Sequence, residues 1–573
     1  MIRIIYLYII FGCLALLMTG CENTGHDRKF SEQMVACIDS MQGGAMLLHG
    51  NRIHSPEIIR QIYDTGNGLV EAKWDNWVNI DQLLNSIRNA YYHGLQPEDY
   101  HLSALYDLMN KVIASEETDF YDSVAFELLL TDSFLLLASH LSEGKTIRGT
   151  DTPRWTASGS KPGKDWKGFL ENSLDEQRVF INIEQLAPAH DEYIKLIDAL
   201  EYYRQVEEEG GWVKFDTGQP KLEKGMRHPD VVLLRKRLSG TRHFGENDTA
   251  DLLFFDDNLH DQVAEFQKRN GLAADGVVGP ATAEALGYSV YENISTIKTN
   301  LERWRRLDDL GDHYIVVNIP DYRLSVIKEG RTMLTSDVVV GQRHRQTPVL
   351  SSELTKMELN PFWFVPPGML RHKIIPAVRR DIDYLERNNM VVLDKDWRRV
   401  DPGSVDWHSG FGEGFPYIIR QNPGPGNEMG RIKFLFPNRH FVTIHGTPYT
   451  HLFRQNIRAF SAGCIRIRTP LQLAEYLLNN QEDWTMGQLL EVLDSNEFRR
   501  VEFVNPLSLH ILYFTAWAGE DGVTNFRKDI YSLDPPLLEA LQQHPPGYEH
   551  EISVQLPAGL AATDGELRNQ ANQ

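Results

Sequence analysis

The spacing of apolar residues changes along this chain of 573 residues, and that change limits how the chain can fold. Between about 53 and 205, apolar residues recur every three or four positions, as in 122–141, which predicts amphipathic helices. From Tyr314 the period becomes two, as in 336–340, which predicts β-strands. Because the chain is too long for one hydrophobic core, the sequence predicts a multidomain α+β protein with a helical part first.

A third pattern lies between these two parts, over residues 225–288. The stretch 231–238 predicts one short amphipathic helix. Asp257 is predicted to cap a second helix, which Gly271 ends, and Pro280 is predicted to open a third. The segment is therefore expected to form a small three-helix domain.

The chemistry of the chain is concentrated at Cys464, which follows Ser461-Ala462-Gly463 and lies nineteen positions after His445. A thiol becomes a useful nucleophile when a base or a positive field favours its thiolate. His445 ends an apolar alternation and precedes Gly446, which predicts a position at the end of a strand. The N–H groups of Gly463 and Cys464 are predicted to be free to face a developing oxyanion. The alternative is a buried structural thiol with an ordinary, unrelated histidine.

The residues around this pair resemble a known family. Ile444-His445-Gly446-Thr447, followed by Ser461-Ala462-Gly463-Cys464-Ile465-Arg466, resembles the signature of L,D-transpeptidases with a YkuD-type catalytic domain. Residues 360–366 and 423–427 resemble the large YcbB-type branch, whose catalytic domain carries an inserted capping subdomain. The chain departs from many members at Ala462, where they have a histidine.

Two further segments resemble the domains that accompany this catalytic domain. Residues 90–100 are similar to part of the helical scaffold domain of YcbB-type enzymes. The set from Phe266 to Thr282, which includes Asp275-Gly276, resembles the peptidoglycan-binding three-helix module. Its glycines and apolar residues are expected to serve mainly turns and core.

The resemblance implies roles for particular residues. Cys464 would be the nucleophile, and His445 the base that generates and holds its thiolate. Arg466 would order the loop or meet a substrate carboxylate, with a structural ion pair as the alternative. Trp363 would line the donor groove, with packing as the alternative. The residues implied in oxyanion or substrate binding are Ser461, Gly463, Gly446, Arg466 and Trp363.

The N-terminus is predicted to be an export signal. Arg3 precedes an apolar run over 4–18 that is short for a bilayer span, and Thr19-Gly20-Cys21 follows. This resembles a lipoprotein signal cleaved before Cys21, which would carry the lipid; an uncleaved membrane anchor is the alternative. After cleavage only Cys37 and Cys464 remain, which excludes a disulfide framework, and Cys37 is expected to be buried or an unpaired linker thiol. The expected location is the periplasmic face of the cell envelope, anchored to the outer membrane.

These expectations divide the chain into consecutive segments. They are a signal peptide at 1–20, a tether at 21–52, a helical scaffold domain at 53–220, a peptidoglycan-binding-like domain at 225–288, a catalytic domain at 310–545 with a capping insertion at about 368–425, and a disordered tail at 546–573.

Charge and motif composition exclude several classes of function. The net charge of -21 argues against nucleic acid as a partner and against non-specific attraction to anionic lipid. The 20 histidines form no His-Glu-x-x-His motif, so the sequence predicts neither a metal nor a cofactor. The expected partners are peptidoglycan stem peptides and glycan, with carbapenem-type β-lactams as acylating inhibitors.

The resemblance thus implies a cysteine L,D-transpeptidase that links third-position diamino acids of peptidoglycan through a thioester and releases D-alanine from a tetrapeptide donor. An L,D-carboxypeptidase or cross-link hydrolase with the same site is the alternative enzyme. A non-catalytic peptidoglycan-binding lipoprotein is the alternative from another class.

Overall fold

The structure is a computed structural model that describes residues 24–546 except 42–45, 67, 115–118, 157–164, 241–250, 409–414, 480–483 and 520. The predicted signal peptide, Cys21 and the tail from 547 onward lie outside the described residues. The chain forms two compact units. The first comprises Met1–Gln205, Ile297–Arg306 and Asp534–Gln573, and the second comprises Val206–Thr296 and Leu307–Leu533.

The described α-helices are α1 Thr24–Ser40, α2 Pro56–Tyr63, α3 Trp77–Asn89, α4 Leu102–Ala114, α5 Phe120–Glu143, α6 Trp166–Asp175, α7 Val179–Glu184, α8 Asp191–Glu208, α9 Pro229–Ser239, α10 Asp257–Arg269, α11 Pro280–Leu286, α12 Val290–Arg305, α13 Pro367–Met369, α14 Ile375–Arg380, α15 Tyr384–Arg387, α16 Pro470–Leu478, α17 Met486–Ser495 and α18 Asp534–Gln542.

The described strands are β1 Leu47–Leu48, β2 Asn51–Arg52, β3 His313–Asn318, β4 Arg323–Lys328, β5 Arg331–Gly341, β6 Leu350–Leu359, β7 Trp363–Phe364, β8 Met390–Leu393, β9 Arg399–Val400, β10 Ile418–Gln421, β11 Ile432–Leu435, β12 Ile444–His445, β13 Ala459–Ser461, β14 Ile465–Ile467, β15 Arg499–Leu512, β16 Ala516–Ala518 and β17 Thr524–Phe526. A helical first part followed by a β-rich part confirms the predicted multidomain α+β class.

Helix α5 is the centre of the first unit. Its residues are apolar on all sides and almost all of them are buried, as expected for a helix surrounded by others. Among the described helices, α5 alone has the length and apolar composition of a bilayer span, and the protein itself buries its most apolar stretch of 18 residues completely. Its few polar residues are used for internal bonds. Asp132, for example, accepts the backbone N–H groups of His54 and Ser55.

The prediction of a tether over 21–52 is wrong for its described part. Helix α1 buries Met34 and Cys37, and Met41 and Leu48 join the same apolar cluster. The low overall hydropathy of this stretch hides a narrow apolar stripe, which is enough to attach one face of a helix to a core. Cys37 is a free, buried thiol, which agrees with the first of the two alternatives predicted for it.

The C-terminal helix also corrects a predicted boundary. Helix α18, within the segment assigned from sequence to the catalytic domain, belongs to the first unit. The ammonium group of Lys145 is fully buried there and donates to the Leu541 and Gln543 carbonyls and to Asp99 Oδ2, at 2.7, 2.9 and 2.6 Å. A cation at the carbonyl end of a helix is favoured by the helix dipole, which explains why α18 docks here.

The three-helix segment lies in the second unit and is built around Gln267. The side-chain amide of Gln267 donates to Asp275 Oδ1, to the Val277 carbonyl and to Thr282 Oγ1, while its oxygen accepts the Gly276 N–H. These motif residues therefore hold the turn between α10 and α11. The cap of α10 is Asp256, which accepts the Leu259 N–H at 2.8 Å, so the prediction of Asp257 was wrong by one residue.

The second unit also contains a nine-stranded sheet, in the order β13-β5-β14-β12-β11-β6-β15-β3-β4. Strand β5 is long and bends. Its first half, 331–337, pairs with β4, and its second half, 338–341, pairs with β14 and β13. The sheet thus closes on itself, which leaves few free edges.

An insertion between β6 and β11 forms its own four-stranded sheet, in the order β7-β10-β8-β9. It also has its own apolar cluster, which includes Trp363, Ile375 and Trp407. The sheet begins at β7, a few residues before the predicted start at about 368. At its base, the Asn427 side chain donates to the Pro361 carbonyl at 3.0 Å, so the two ends of the insertion are bonded together.

The buried Lys145–Asp99 pair provides a test of this fold. We expect Lys145→Met to lower the free energy of unfolding by about 3–5 kcal/mol, because Asp99 would keep its burial and lose the ammonium group that neutralises it. The matched control is Lys73→Met, whose ammonium group pairs with Glu171 near the surface, and its loss should be at most about 1 kcal/mol. Urea unfolding measures both; equal losses would contradict the role assigned to Lys145.

Candidate active site

Strand pairing places the predicted nucleophile and base on one face of the sheet. Strands β12 and β14 are parallel neighbours, with Ile444 beside Ile465 and His445 beside Arg466. Both isoleucines are fully buried in the core. Because successive side chains of a strand point to opposite faces, His445 and Arg466 lie on the other face.

Cys464 immediately precedes β14 and continues this pattern. The Ile465 N–H donates to the Thr443 carbonyl at 3.0 Å, so Cys464 lies beside Thr443 and diagonally across from His445. The Thr443 hydroxyl lies 3.8 Å from the Cys464 sulfur. Cys464 is a free, partly exposed thiol, unlike the buried Cys37. The site therefore presents a reachable thiol next to a histidine.

His445 is buried, and its ring orientation is fixed by the chain itself. Its Nδ1 lies 2.6 Å from the carbonyl oxygen of Gly446. A carbonyl only accepts hydrogen bonds, so Nδ1 carries the proton and Nε2 is left with a lone pair. Burial lowers the pKa of His445 to about 4; the Gly446 carbonyl opposes this shift, and the charges of Arg466 and Lys433 add to it. The ring is therefore neutral at pH 7 and able to accept a proton.

Two glycines allow the turn after His445 to lie close to the preceding strand. A Cβ atom on Gly430 would come within 2.7 Å of the Gly446 Cα, and Gly430 has a φ of +64°. The Gly446 N–H donates to the Ile432 carbonyl at 2.9 Å. The structure thus gives Gly446 a supporting role, in which its carbonyl orients His445.

The loop before Cys464 is held by Ser461. The Ser461 hydroxyl donates to the Cys464 carbonyl at 2.6 Å and accepts the Gly463 N–H at 3.1 Å. The prediction that the Gly463 N–H is free for an oxyanion is therefore wrong, because that group already has an acceptor. Within the described part of the chain, no acceptor receives the Cys464 N–H. Gly463 has a φ of +116°, a conformation that only glycine adopts without strain.

Thr347 and Tyr531, which were not predicted as site residues, also hold this loop through hydrogen bonds. The Thr347 hydroxyl donates to the Gly463 carbonyl and accepts the Gly341 N–H, both at 2.9 Å. The Tyr531 hydroxyl donates to the Gly341 carbonyl at 2.7 Å and accepts the Thr347 N–H at 3.1 Å. These bonds join β5 to the nucleophile loop, and no local sequence pattern marks them.

The remaining predicted residues lie in different settings. Arg466 is near the site and faces the carboxylate of Glu428, with 3.9 Å between Nη2 and Oε2. Trp363 is buried in the core of the insertion, where β7 pairs with β10. The groove interpretation of Trp363 is therefore not supported, since a side chain packed inside that core cannot line a groove.

One group outside this site has the spacing of metal ligands. The ligand atoms of His54, His101 and Asp132, in the first unit, lie within 4.8 Å of one another. The Asp132 carboxylate already accepts N–H groups from His54, Ser55 and the His101 ring. These side chains therefore form an internal hydrogen-bond network.

Family models of known proteins match three parts of the chain. Residues 312–489 match the family model of the YkuD L,D-transpeptidase catalytic domain. Residues 64–200 match the model described as "Scaffold domain", and residues 227–286 match "Putative peptidoglycan binding domain". A curated protein of Haemophilus influenzae, named "Putative L,D-transpeptidase", is 34% identical over 235 residues, which are 41% of this chain and 47% of that protein. The chain thus matches about half the length of this curated relative.

Solved structures of the same type resemble the chain weakly. The L,D-transpeptidase of Xylanimonas cellulosilytica is 15% identical with a TM-score of 0.17, and covers 52% of this chain and 100% of its own. The L,D-transpeptidase of Stackebrandtia nassauensis is 11% identical with a TM-score of 0.20, and covers 52% of this chain and 97% of its own. TM-scores this low give no evidence about the fold or the function of this chain.

The fold and the site thus bring together a partly exposed cysteine and an oriented histidine on one face of a β-sheet. In particular, the chain contains a YkuD L,D-transpeptidase catalytic domain together with a peptidoglycan-binding domain, as the resemblance in its sequence predicted.

The contacts beneath the nucleophile loop can be tested with Thr347→Val. Valine keeps the shape of threonine but leaves the Gly341 N–H without its acceptor, so we expect a loss of about 1–3 kcal/mol in unfolding free energy. Alkylation of Cys464 by iodoacetamide should also slow, because the loop is less well held.

The control is Thr355→Val in strand β6, where the hydroxyl makes one long bond of 3.4 Å to the Leu435 carbonyl. It should change neither quantity appreciably. If the two variants behaved alike, Thr347 would not support the nucleophile loop.

Proposed function

We propose that this protein is a cysteine L,D-transpeptidase that cross-links peptidoglycan between third-position diamino acids. The observation that carries the proposal is the register of β12 and β14, which puts Cys464 and His445 on one face with the His445 Nδ1 already bonded. The family models over 64–200, 227–286 and 312–489 support it.

The first half of the reaction forms a thioester. The neutral Nε2 of His445 takes the thiol proton as the Cys464 sulfur attacks the carbonyl of the third residue of a donor tetrapeptide. The oxyanion faces the Cys464 N–H, a backbone donor that has no acceptor among the described residues. When the tetrahedral intermediate collapses, the C–N bond breaks, and His445 returns the proton to the departing amine of D-alanine.

The second half repeats these steps with an acceptor amine. The amine of a neighbouring stem peptide attacks the thioester, His445 takes its proton, and the thiol is regenerated as the new amide forms. Water in place of the amine would give an L,D-carboxypeptidase or a cross-link hydrolase. A binding protein without catalysis is disfavoured by the exposed thiol and the oriented histidine.

The remaining parts of the proposal concern location and partners. Cys21 would carry a lipid that anchors the protein to the outer membrane, with its bulk in the periplasm. Residues 225–288 would bind glycan or stem peptide. Their helix α10 contacts the segment that follows β17, since Arg527 donates to the Arg269 carbonyl at 2.8 Å. Carbapenem-type β-lactams would acylate Cys464.

Incubation of the purified protein with disaccharide tetrapeptide tests the activity directly. Mass analysis of the products should find a cross-linked dimer and free D-alanine. Tripeptide without dimer would indicate the hydrolase, and unchanged substrate would support the binding protein. Cys464→Ala should produce neither product.

The pH dependence of acylation tests the role of His445. Because burial holds the pKa of His445 at about 4, its neutral form is present at pH 5 and above, and acylation by a carbapenem should decline only as the pH falls towards 4. In His445→Ala the thiolate must form without a base, which for an ordinary cysteine thiol occurs at about pH 8.5. The variant should therefore be slow at pH 6 and recover in alkali.

The control for this experiment is His440→Ala, an exposed histidine shortly before β12, which should leave the profile unchanged. Superimposable profiles for the protein and His445→Ala would show that His445 is not the base.

A further inference from the structure

Glu428 is a buried carboxylate next to the active site that the reaction described above does not use. It is 6% exposed and lies between the base of the insertion and strand β11. Its backbone N–H donates to Gln421 Oε1 at 2.9 Å, which fixes it to the last strand of the insertion. The position of Glu428 is therefore set by the junction between the insertion and the site.

Two hydrogen-bond donors and one further cation, from three different parts of the chain, converge on this carboxylate. Tyr449, shortly after β12, donates its hydroxyl proton to Oε1 at 2.8 Å, and Lys373 of the insertion donates to the same oxygen at 3.0 Å. Arg466 on β14 faces the other oxygen, with 3.9 Å between Nη2 and Oε2. One carboxylate thus connects the insertion with both strands that carry the reacting pair.

The guanidinium of Arg466 is held in place, but not all of its N–H groups have hydrogen-bond partners among the described residues. It lies over the Tyr449 ring, 5.6 Å from the centroid, and its side chain is 18% exposed. Its distance to Glu428 is too long for a hydrogen bond, and among the described residues its buried Nε has no partner. A planar cation with unused N–H groups is suited to bind a carboxylate in a bidentate manner.

The charged groups around Glu428 have a net positive charge, which favours the binding of an anion. Lys373 and Arg466 bring two positive charges to one carboxylate, so the cluster carries one positive charge in excess. Tyr449 is neutral, since burial and its bond to Glu428 raise its pKa. A ligand carboxylate would balance the cluster.

The backbone of the insertion is shaped to bring Lys373 to this place. Residues Leu370–Ile374 form a π-helical turn, in which the Ile375 N–H donates to the Leu370 carbonyl. Pro376 has no N–H and cannot continue the normal α-helical bonds, which explains the wider turn. Such turns are found frequently at functional sites.

We propose that Glu428 is a positioning residue that holds Arg466 as the receptor for the C-terminal carboxylate of the donor peptide. Arg466 lies two residues beyond Cys464 on the same face, about 7 Å along the strand. The carboxylate of the departing D-alanine is two bonds from the nitrogen that leaves, so it lies at a distance that the long arginine side chain can reach. This inference rests on the proposed function and specifies how the donor is selected.

The test compares the donor tetrapeptide with the same peptide amidated at its C-terminus, on the full chain. The protein should prefer the free carboxylate by about tenfold or more in kcat/KM, as expected for a hydrogen bond to a charged group. Glu428→Gln keeps an acceptor for Tyr449 and Lys373 but removes the charge that positions Arg466. It should reduce the preference to about threefold or less, mainly through KM.

A control variant and an alkylation assay distinguish a loss of carboxylate preference from general damage to the active site. Asp381→Asn, which breaks an exposed pair with Arg387 in the same insertion, should keep the full preference. Alkylation of Cys464 by iodoacetamide, a small neutral reagent, should proceed at the same rate in Glu428→Gln as in the unmodified protein. A fall in alkylation would mean that Glu428 supports the nucleophile itself, which would overturn the proposal.

Binding of the two peptides to the Cys464→Ala variant measures the carboxylate preference without turnover. The dissociation constants of the two peptides, measured by calorimetry with and without Glu428→Gln, should show the same preference and the same loss. Equal binding of acid and amide, or a preference that survives Glu428→Gln, would overturn the proposal. Clear carboxylate preference in binding without any turnover would leave it standing and would count against the transpeptidase activity instead.

Discussion

The parallel pairing of β12 with β14 is the contact on which the active site depends. Each strand is very short, and each is held on its far side by a longer strand, β11 or β5. Ile444 and Ile465 bury one face of the pair in the core, which forces His445 and Arg466 to the other. A slip of one residue would exchange these faces, so the hydrophobic core fixes the register of the reacting groups.

Burial gives His445 its chemical character. A buried imidazole resists protonation, and the nearby charges of Arg466 and Lys433 increase that resistance. The imidazole of His445 is therefore neutral before the reaction, as a base that is to accept a proton must be. In the proposed reaction, the negative charge that develops at sulfur and then on the substrate would stabilise the imidazolium, which would couple proton transfer to the attack. The same burial opposes folding in acid, because the unfolded histidine binds a proton between about pH 6.5 and 4 and the folded one does not.

The Cys464–His445 pair was predicted from a resemblance to a known family, whereas local patterns were sufficient to predict the helical part and the strands. These features depend on spacing along the chain, which a sequence displays directly. The cap of α10 was placed one residue late, at Asp257, because two adjacent aspartates offer the same chemistry and only geometry selects Asp256.

Features that depend on distant residues were not predictable. The bond of the Gly463 N–H to Ser461, the support from Thr347 and Tyr531, and the cluster at Glu428 all need the folded chain. For Trp363 the sequence left a groove and packing as alternatives, and only the folded chain selects packing. Helix α18 joins the first unit through Lys145, nearly 400 residues earlier in the sequence, and no local pattern indicates that contact.

The central claim is that Cys464 carries the acyl group during catalysis. Rapid acid quenching of the protein with disaccharide tetrapeptide, followed by proteolysis and mass spectrometry, measures this directly. The account predicts a peptide containing Cys464 whose mass increases by that of the donor without its terminal D-alanine, and whose adduct is removed by hydroxylamine as a thioester is. Turnover without an adduct on Cys464, or with an adduct on another residue, would contradict it.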